Sequence, residues 1–256
     1  MVKKAFKWIY LGLILFFLYA PIVVMIALSF NASSSSAVWT GFTTKWYAEL
    51  LDNRKIMEAL RVTISVAVIA TAISTVLGTL AAIGIHSMKK GWANAILNVS
   101  YLPMTMPDIV TGISLMMLFV FTRTDTGFVT MVLAHIAFDT PYVLFAVLPK
   151  LKQMNPNTYE AALDLGCKPL RAIVKVIIPE ISPGIVTGGL LAFTMSIDDF
   201  IISYFTGGTV DNLSMAVYGS ARRGVSPSMY ALSAVMFVVI LSLLLVINRR
   251  SSLENV

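Results

Sequence analysis

Six apolar runs, each close to the length of a bilayer crossing, constrain this chain more than any other feature. They cover Trp8–Phe30, Val62–Ile85, Ile96–Thr122, Gly127–Pro149, Ile185–Phe205 and Tyr230–Asn248. About 20 apolar residues cross the hydrocarbon core as a helix. Lipid offers the backbone no hydrogen bonds, so each run must satisfy its own N–H and C=O groups. The expected fold is therefore an all-α integral membrane protein with six transmembrane helices. Composition agrees, because 57% of the 256 residues are hydrophobic and only 12% are charged. That leaves too little polar surface for a water-soluble domain of this size. The single cysteine, Cys167, excludes an internal disulfide framework.

The first run follows Lys3, Lys4 and Lys7, as a signal peptide would. It is too long for a signal core and no small-residue cleavage site interrupts it, so it reads as a retained anchor. With the N-terminus inside, the inner connections hold 12 Lys and Arg and the outer ones 7. The positive-inside rule then puts both termini in the cytoplasm.

The acidic residues sort differently. Asp108, Asp139, Asp198 and Asp199 lie at membrane depth, and the six runs contain no Lys or Arg. The net charge of +6 thus belongs to the loops, while the membrane interior carries only carboxylates. A charged Asp near the centre of a span costs about 2.5–3.5 kcal/mol on insertion scales, and such residues mark functional pathways. Asp198 and Asp199 stand together in TMSIDDF, residues 194–200. On a continuous helix they point about 100° apart. Ser196, Asp199, Ser203 and Thr206 would form one polar stripe, with Thr194 and Asp198 on another.

Two prolines, Pro103 and Pro107, predict a kinked or broken third run with Asp108 just after the break. Pro141 follows Asp139 in the fourth run, and there too the Asp is expected to cap a restarted helix. His135 reads as a buried, hydrogen-bonded side chain, and His86 as interfacial. Outside, residues 31–61 form a loop rich in aromatics. Thr44–Leu51 is expected to make a short surface helix, with Trp46 either an interfacial anchor or a cation-holding ring at the mouth of a pathway. Residues 218–230 are an outer stretch suited either to an external partner or to plain solvation. The chain is taken as one domain over residues 1–256.

The inner connection, residues 150–183, is too patterned for a linker. A helix over Tyr159–Leu165, capped by Asn157 or Thr158, should stop at Gly166, where glycine takes the left-handed conformation. A second helix should run from Pro169 to Ile178 and end at Pro179. The result is a docking element that passes force to a cytoplasmic partner.

Glu160-Ala161-Ala162, three residues, Gly166, nine residues, Val176, one residue, then Ile178-Pro179 resembles the EAA loop of bacterial ABC importer permeases. The segments at 39–47, 106–110, 196–200 and 224–232 extend the resemblance to PotC-type permease subunits of spermidine/putrescine importers. The resemblance implies a type I ABC importer permease fold in a bacterial plasma membrane. It implies that Glu160, Ala161, Ala162, Gly166 and Pro179 belong to helices that couple to an ATPase. It further implies a PotB-type second permease subunit, two PotA-type ATPases carrying ATP and Mg, and a PotD-type external binding protein. The chain itself has no phosphate-binding loop, and no cofactor is expected in it.

Under that reading Asp108, Asp139, Ser196, Asp198, Asp199 and Trp46 are the candidate pathway residues. Unpaired carboxylates without fixed cations suit a polycation. The competing readings are a permease for another small organic solute, such as an amino-alkylphosphonate, and a proton-coupled cation carrier using the acids as relays. No nucleophile–base set supports an enzyme, two distant histidines and four dispersed acids make no metal site, and nothing points to nucleic acid.

Overall fold

The computed structural model describes residues 2–35, 37–155, 157–223 and 226–253, and among them it is helical with one isolated β-bridge, Asn31 to Phe42. The chain divides into two compact units, one made of residues to Glu58 and from Ala216, the other of Ala59–Met215.

The first unit contains α1 (Val2–Leu28), α2 (Lys45–Asp52) and a further helix, α13 (Pro227–Leu253). Here α13 packs against both α1 and α2. The expected surface helix is α2, displaced by one residue. Its position is fixed from within, because Trp46 Nε1 donates to the carbonyl of Asn31 at 2.7 Å and Tyr47 hydroxyl pairs with Ser29 Oγ at 2.7 Å. Phe30 stacks on Phe42 and meets Tyr47, with centroids 5.1 and 5.2 Å apart. Phe30 thus packs against two rings of the aromatic loop, and Phe42 stays exposed. A helix over Leu213–Arg223, α12, precedes α13. Of the outer stretch between them, residues 224 and 225 lie outside the described residues.

The second unit is built on α3 (Arg54–His86), α4 (Lys90–Thr105), α5 (Asp108–Phe121), α6 (Phe128–Gln153) and α10 (Ser182–Asp198). Its core helix is α6, with 61% of its most apolar stretch buried. Val143, Leu144, Val147 and Leu151 from α6 meet Ala82 and Ile85 from α3, Ala192 from α10, and Ile177 and Ile181. The close approach needs glycines. A Cβ on Gly78 would stand 2.6 Å from Val143 Cβ, and one on Gly188 3.0 Å from Val143 Cα. Small residues at helix contacts let backbones approach where lipid supplies no hydrophobic drive.

Three helices are long and apolar enough to cross a membrane singly, Phe6–Leu28, Arg54–His86 and Phe128–Gln153. The third run is a bent pair, α4 and α5, turning by 108° at Met106–Pro107. That is the break its prolines predict. The fourth run corrects the expectation, for α6 passes through Pro141 without restarting. Asp139 therefore caps nothing. The fifth run is also corrected. It stops at Asp198 and resumes as α11 (Ile201–Thr206), so the six runs are not six uninterrupted rods.

Candidate functional site

The break in the fifth run comprises Asp199 and Phe200, directly after Asp198, the last residue of α10. Asp199 leaves the helix, with extended backbone angles of −65° and 127°. Its carboxylate then caps the restarting helix: Oδ1 accepts from the Ile202 N–H at 3.1 Å, and Oδ2 from the Ser203 N–H at 2.7 Å and Ser203 Oγ at 2.8 Å. A carboxylate at a helix N-terminus satisfies orphan donors and meets the positive end of the dipole. Asn212 Nδ2 holds the Asp199 carbonyl at 2.8 Å, which closes the loop on its other side.

His135, on α6, completes the cluster. Its Nδ1 lies 2.6 Å from Ser196 Oγ, and its Nε2 lies 3.0 Å from Ser203 Oγ and 3.3 Å from Asp199 Oδ2. The ring is 2% exposed and the Asp199 side chain 9%. Because Ser203 gives its hydroxyl proton to Asp199, Nε2 must carry a proton toward that pair. Ser196 Oγ shares the other hydrogen bond with Nδ1. Ser196, Asp199 and Ser203 do come together, as the stripe predicts. The agent is a broken helix gathered around a histidine, and Thr206 instead bonds within α11 to the Ile202 carbonyl.

Asp198 is the opposite case. It is exposed at the last residue of α10, and among the described residues its carboxylate has no hydrogen bond or ion pair. Asp108, in the first turn of α5, is likewise exposed. Asp139 is fully buried, and neither of its oxygens has a partner. Three further orphans, the hydroxyls of Thr71, Thr75 and Thr79, lie one turn apart on α3. Trp46 is in the first unit, half-buried, with the Lys45 ammonium already 5.3 Å from its ring centre. A cation therefore already occupies one ring face.

The inner connection forms α7 (Asn157–Asp164), α8 (Pro169–Ala172), a π-turn over Ile173–Ile177 and α9 (Ile178–Glu180). Gly166 ends α7 with φ of 80°, as its position predicts. The Cys167 N–H reaches back to the Ala162 carbonyl at 3.1 Å and the Gly166 N–H to Leu163 at 2.8 Å, the pairing of a left-handed glycine stop. Two details correct the sequence reading. The N-terminal turn is capped by Asn155 Oδ1, which accepts from the Asn157 N–H at 3.0 Å, and not by Asn157 or Thr158. Nor does the second helix end at Pro179. The π-turn shifts the bonding register, so Pro179 falls in the first turn of α9, where its missing N–H costs nothing. Glu160, Ala161, Gly166 and Pro179 are exposed and Ala162 half-buried. Ile177 and Ile181 anchor the element to the core, beside a cavity of about 350 Å³ lined in part by His86, Lys152, Tyr159 and Ile173. Asp108, Asp139, Asp198 and Asp199 are not among its described lining residues.

Residues 74–250 match the family model described as binding-protein-dependent transport system inner membrane component. The chain is 37% identical to the putrescine transport system permease protein PotI of Escherichia coli over 228 residues, covering 86% of this chain and 81% of the relative. It is 35% identical to the spermidine/putrescine transport system permease protein PotC of the same organism over 232 residues, covering 90% and 87%. The Haemophilus influenzae PotC is 32% identical over 228 residues, covering 89% of each. Among solved structures, a bacterial ABC transporter involved in import of the acidic polysaccharide alginate superposes with a TM-score of 0.72 at 16% identity, over 98% of this chain and 95% of that one.

Proposed function

Since the chain belongs to the binding-protein-dependent transport system inner membrane components, and so is a permease subunit of an ABC importer, we propose that it carries polyamines, spermidine or putrescine, through half of a shared pathway. The observation that supports this most is the distribution of charge. Asp108 and Asp198 stand exposed at the breaks of two membrane runs, and the six runs hold no fixed cation. A flexible polycation can replace water around such carboxylates, whereas an anionic solute would be repelled by them.

In this reading Asp108 and Asp198 line the path. Asp199 and Ser196 hold the frame behind it. Asp139 belongs to the path in another conformation of the assembly, and Trp46 is kept as a candidate pathway residue. The EAA segment, with Glu160, Ala161, Ala162, Gly166 and Pro179, docks into one of two separate PotA-type ATPases that hold ATP and Mg. A PotB-type subunit supplies the other half of the path, a PotD-type binding protein delivers from outside, and both termini of this chain lie in the cytoplasm. ATP binding closes the ATPase pair and moves the coupling segments, and hydrolysis resets them.

Uptake of labelled spermidine by cells expressing the complete assembly tests this, with Asp198→Asn and Asp199→Asn compared at matched membrane levels. Asp198→Asn is expected to lower uptake without loss of ATPase association. Asp199→Asn is expected to lower assembly as well, because the amide nitrogen that replaces one carboxylate oxygen cannot accept from Ser203 and His135. If the wild type imports no polyamine while loaded binding protein still stimulates ATP hydrolysis, the importer assignment stands and the polyamine assignment falls.

A further inference from the structure

The fifth run is broken at the residues where its function is concentrated, so something must set the angle between its halves. Backbone continuity does not, because Asp199 and Phe200 lie outside both helices. One side chain bonds to both sides of the break. His135 Nδ1 meets Ser196 in the last turn of α10, and Nε2 meets Ser203 in α11 together with the Asp199 carboxylate that caps it. His135 sits on α6, the continuous and most buried helix of its unit. Thr130, five residues earlier on α6, adds a second tie by donating to the Thr206 carbonyl at 2.8 Å. Both halves of the broken run are therefore referenced to one rigid rod, and the histidine alone among these ties touches both.

We propose that His135 is a positioning residue of the translocation path: by clamping α10 and α11 together it fixes the direction in which Asp198 presents its carboxylate. The inference rests on the pathway role of Asp198. Among the described residues the Asp198 carboxylate has no hydrogen bond or ion pair, so its direction follows the end of α10, and that end is held to α6 through Ser196. The clamp also occupies Asp199 with four donors, which leaves Asp198 as the exposed charge of the pair.

A double-mutant cycle in the complete importer tests this, reading initial rates of labelled spermidine uptake at matched levels of ATPase-associated complex. His135→Ala, Asp198→Asn and the double variant are compared. His135→Ala is expected to lower uptake about tenfold, yet by less than about twofold once Asp198 is already Asn, because a residue acting through another loses its effect when the other is gone. His135→Gln keeps a donor for Ser203 and Asp199 and is expected to recover part of the rate. Where His135→Ala fails to assemble, Ser203→Ala severs the α11 tie and replaces it in the cycle. Losses that multiply in the double variant overturn the clamp while leaving the pathway role of Asp198 intact. An Asp198→Asn variant that imports normally removes the pathway role, and the clamp with it.

Discussion

At the residue scale, adjacent aspartates make different contacts because α10 ends between them. Asp199 is fixed by two backbone amides, a hydroxyl and an imidazole, so its charge is compensated by neighbours within its own unit. Among the described residues, none pairs with the Asp198 carboxylate, which is exposed. Asp139 is a third kind. A buried polar group without a partner costs about 1–3 kcal/mol, and more when charged, so its retention points to use in another state. Asp139→Asn is expected to leave the purified complex as thermally stable as the parent, or more so, while lowering spermidine uptake. Thermal unfolding and uptake measured on the same preparation check the pair of outcomes. Equal uptake would take Asp139 out of the path. The four acids were legible in the sequence because charge in an apolar run is conspicuous. Their division of labour was not, since it depends on His135, which is 64 residues from Asp199 in the chain.

At the scale of elements, prolines and glycines explain much of what the helices do, though not in one uniform way. Pro107 breaks the third run, whereas Pro141 is absorbed into a continuous α6 and Pro179 into the first turn of α9, just after the π-turn. The difference is support from neighbours: α6 is packed from several sides by α3 and α10 and keeps its course despite a missing hydrogen bond. Gly166 is simpler, because a φ of 80° is a local property that glycine alone adopts cheaply. No atom lies within 4 Å of a Cβ built there, so the cost of Gly166→Ala is one of backbone strain, about 1–2 kcal/mol. The substitution is expected to loosen the turn after Glu160-Ala161-Ala162 and reduce ATPase co-purification. Unchanged co-purification and coupled hydrolysis would show that the turn does not set docking.

At the scale of the whole molecule, the chain is a permease subunit of an ABC importer, and in the proposed assembly the energy source lies in another polypeptide. Asp198 and Asp108 are open to surroundings that only other subunits, substrate or water can supply. Reconstituted vesicles containing the complete assembly are expected to import spermidine only with ATP and the binding protein present. A proton ionophore should leave the initial rate unchanged within about twofold, since no proton gradient enters the coupling free energy. Uptake that survives ATP removal and collapses with the ionophore would favour the proton-coupled reading of the buried acids.

The sequence by itself determined the membrane class, the placement of carboxylates in runs without cations, the break at Pro107, and the glycine stop in the coupling segment. These are local properties: apolar length, backbone conformational preference and the absence of an N–H are carried by the residues concerned. Only the tertiary structure decided that the fifth run breaks at Asp199, that α6 stays whole through Pro141, and that His135 gathers Ser196, Asp199 and Ser203. Those outcomes depend on which distant groups can satisfy a backbone or a charge once the helices pack. In lipid, unsatisfied polar groups are too costly to leave, so the partners that packing brings within reach choose where a helix ends.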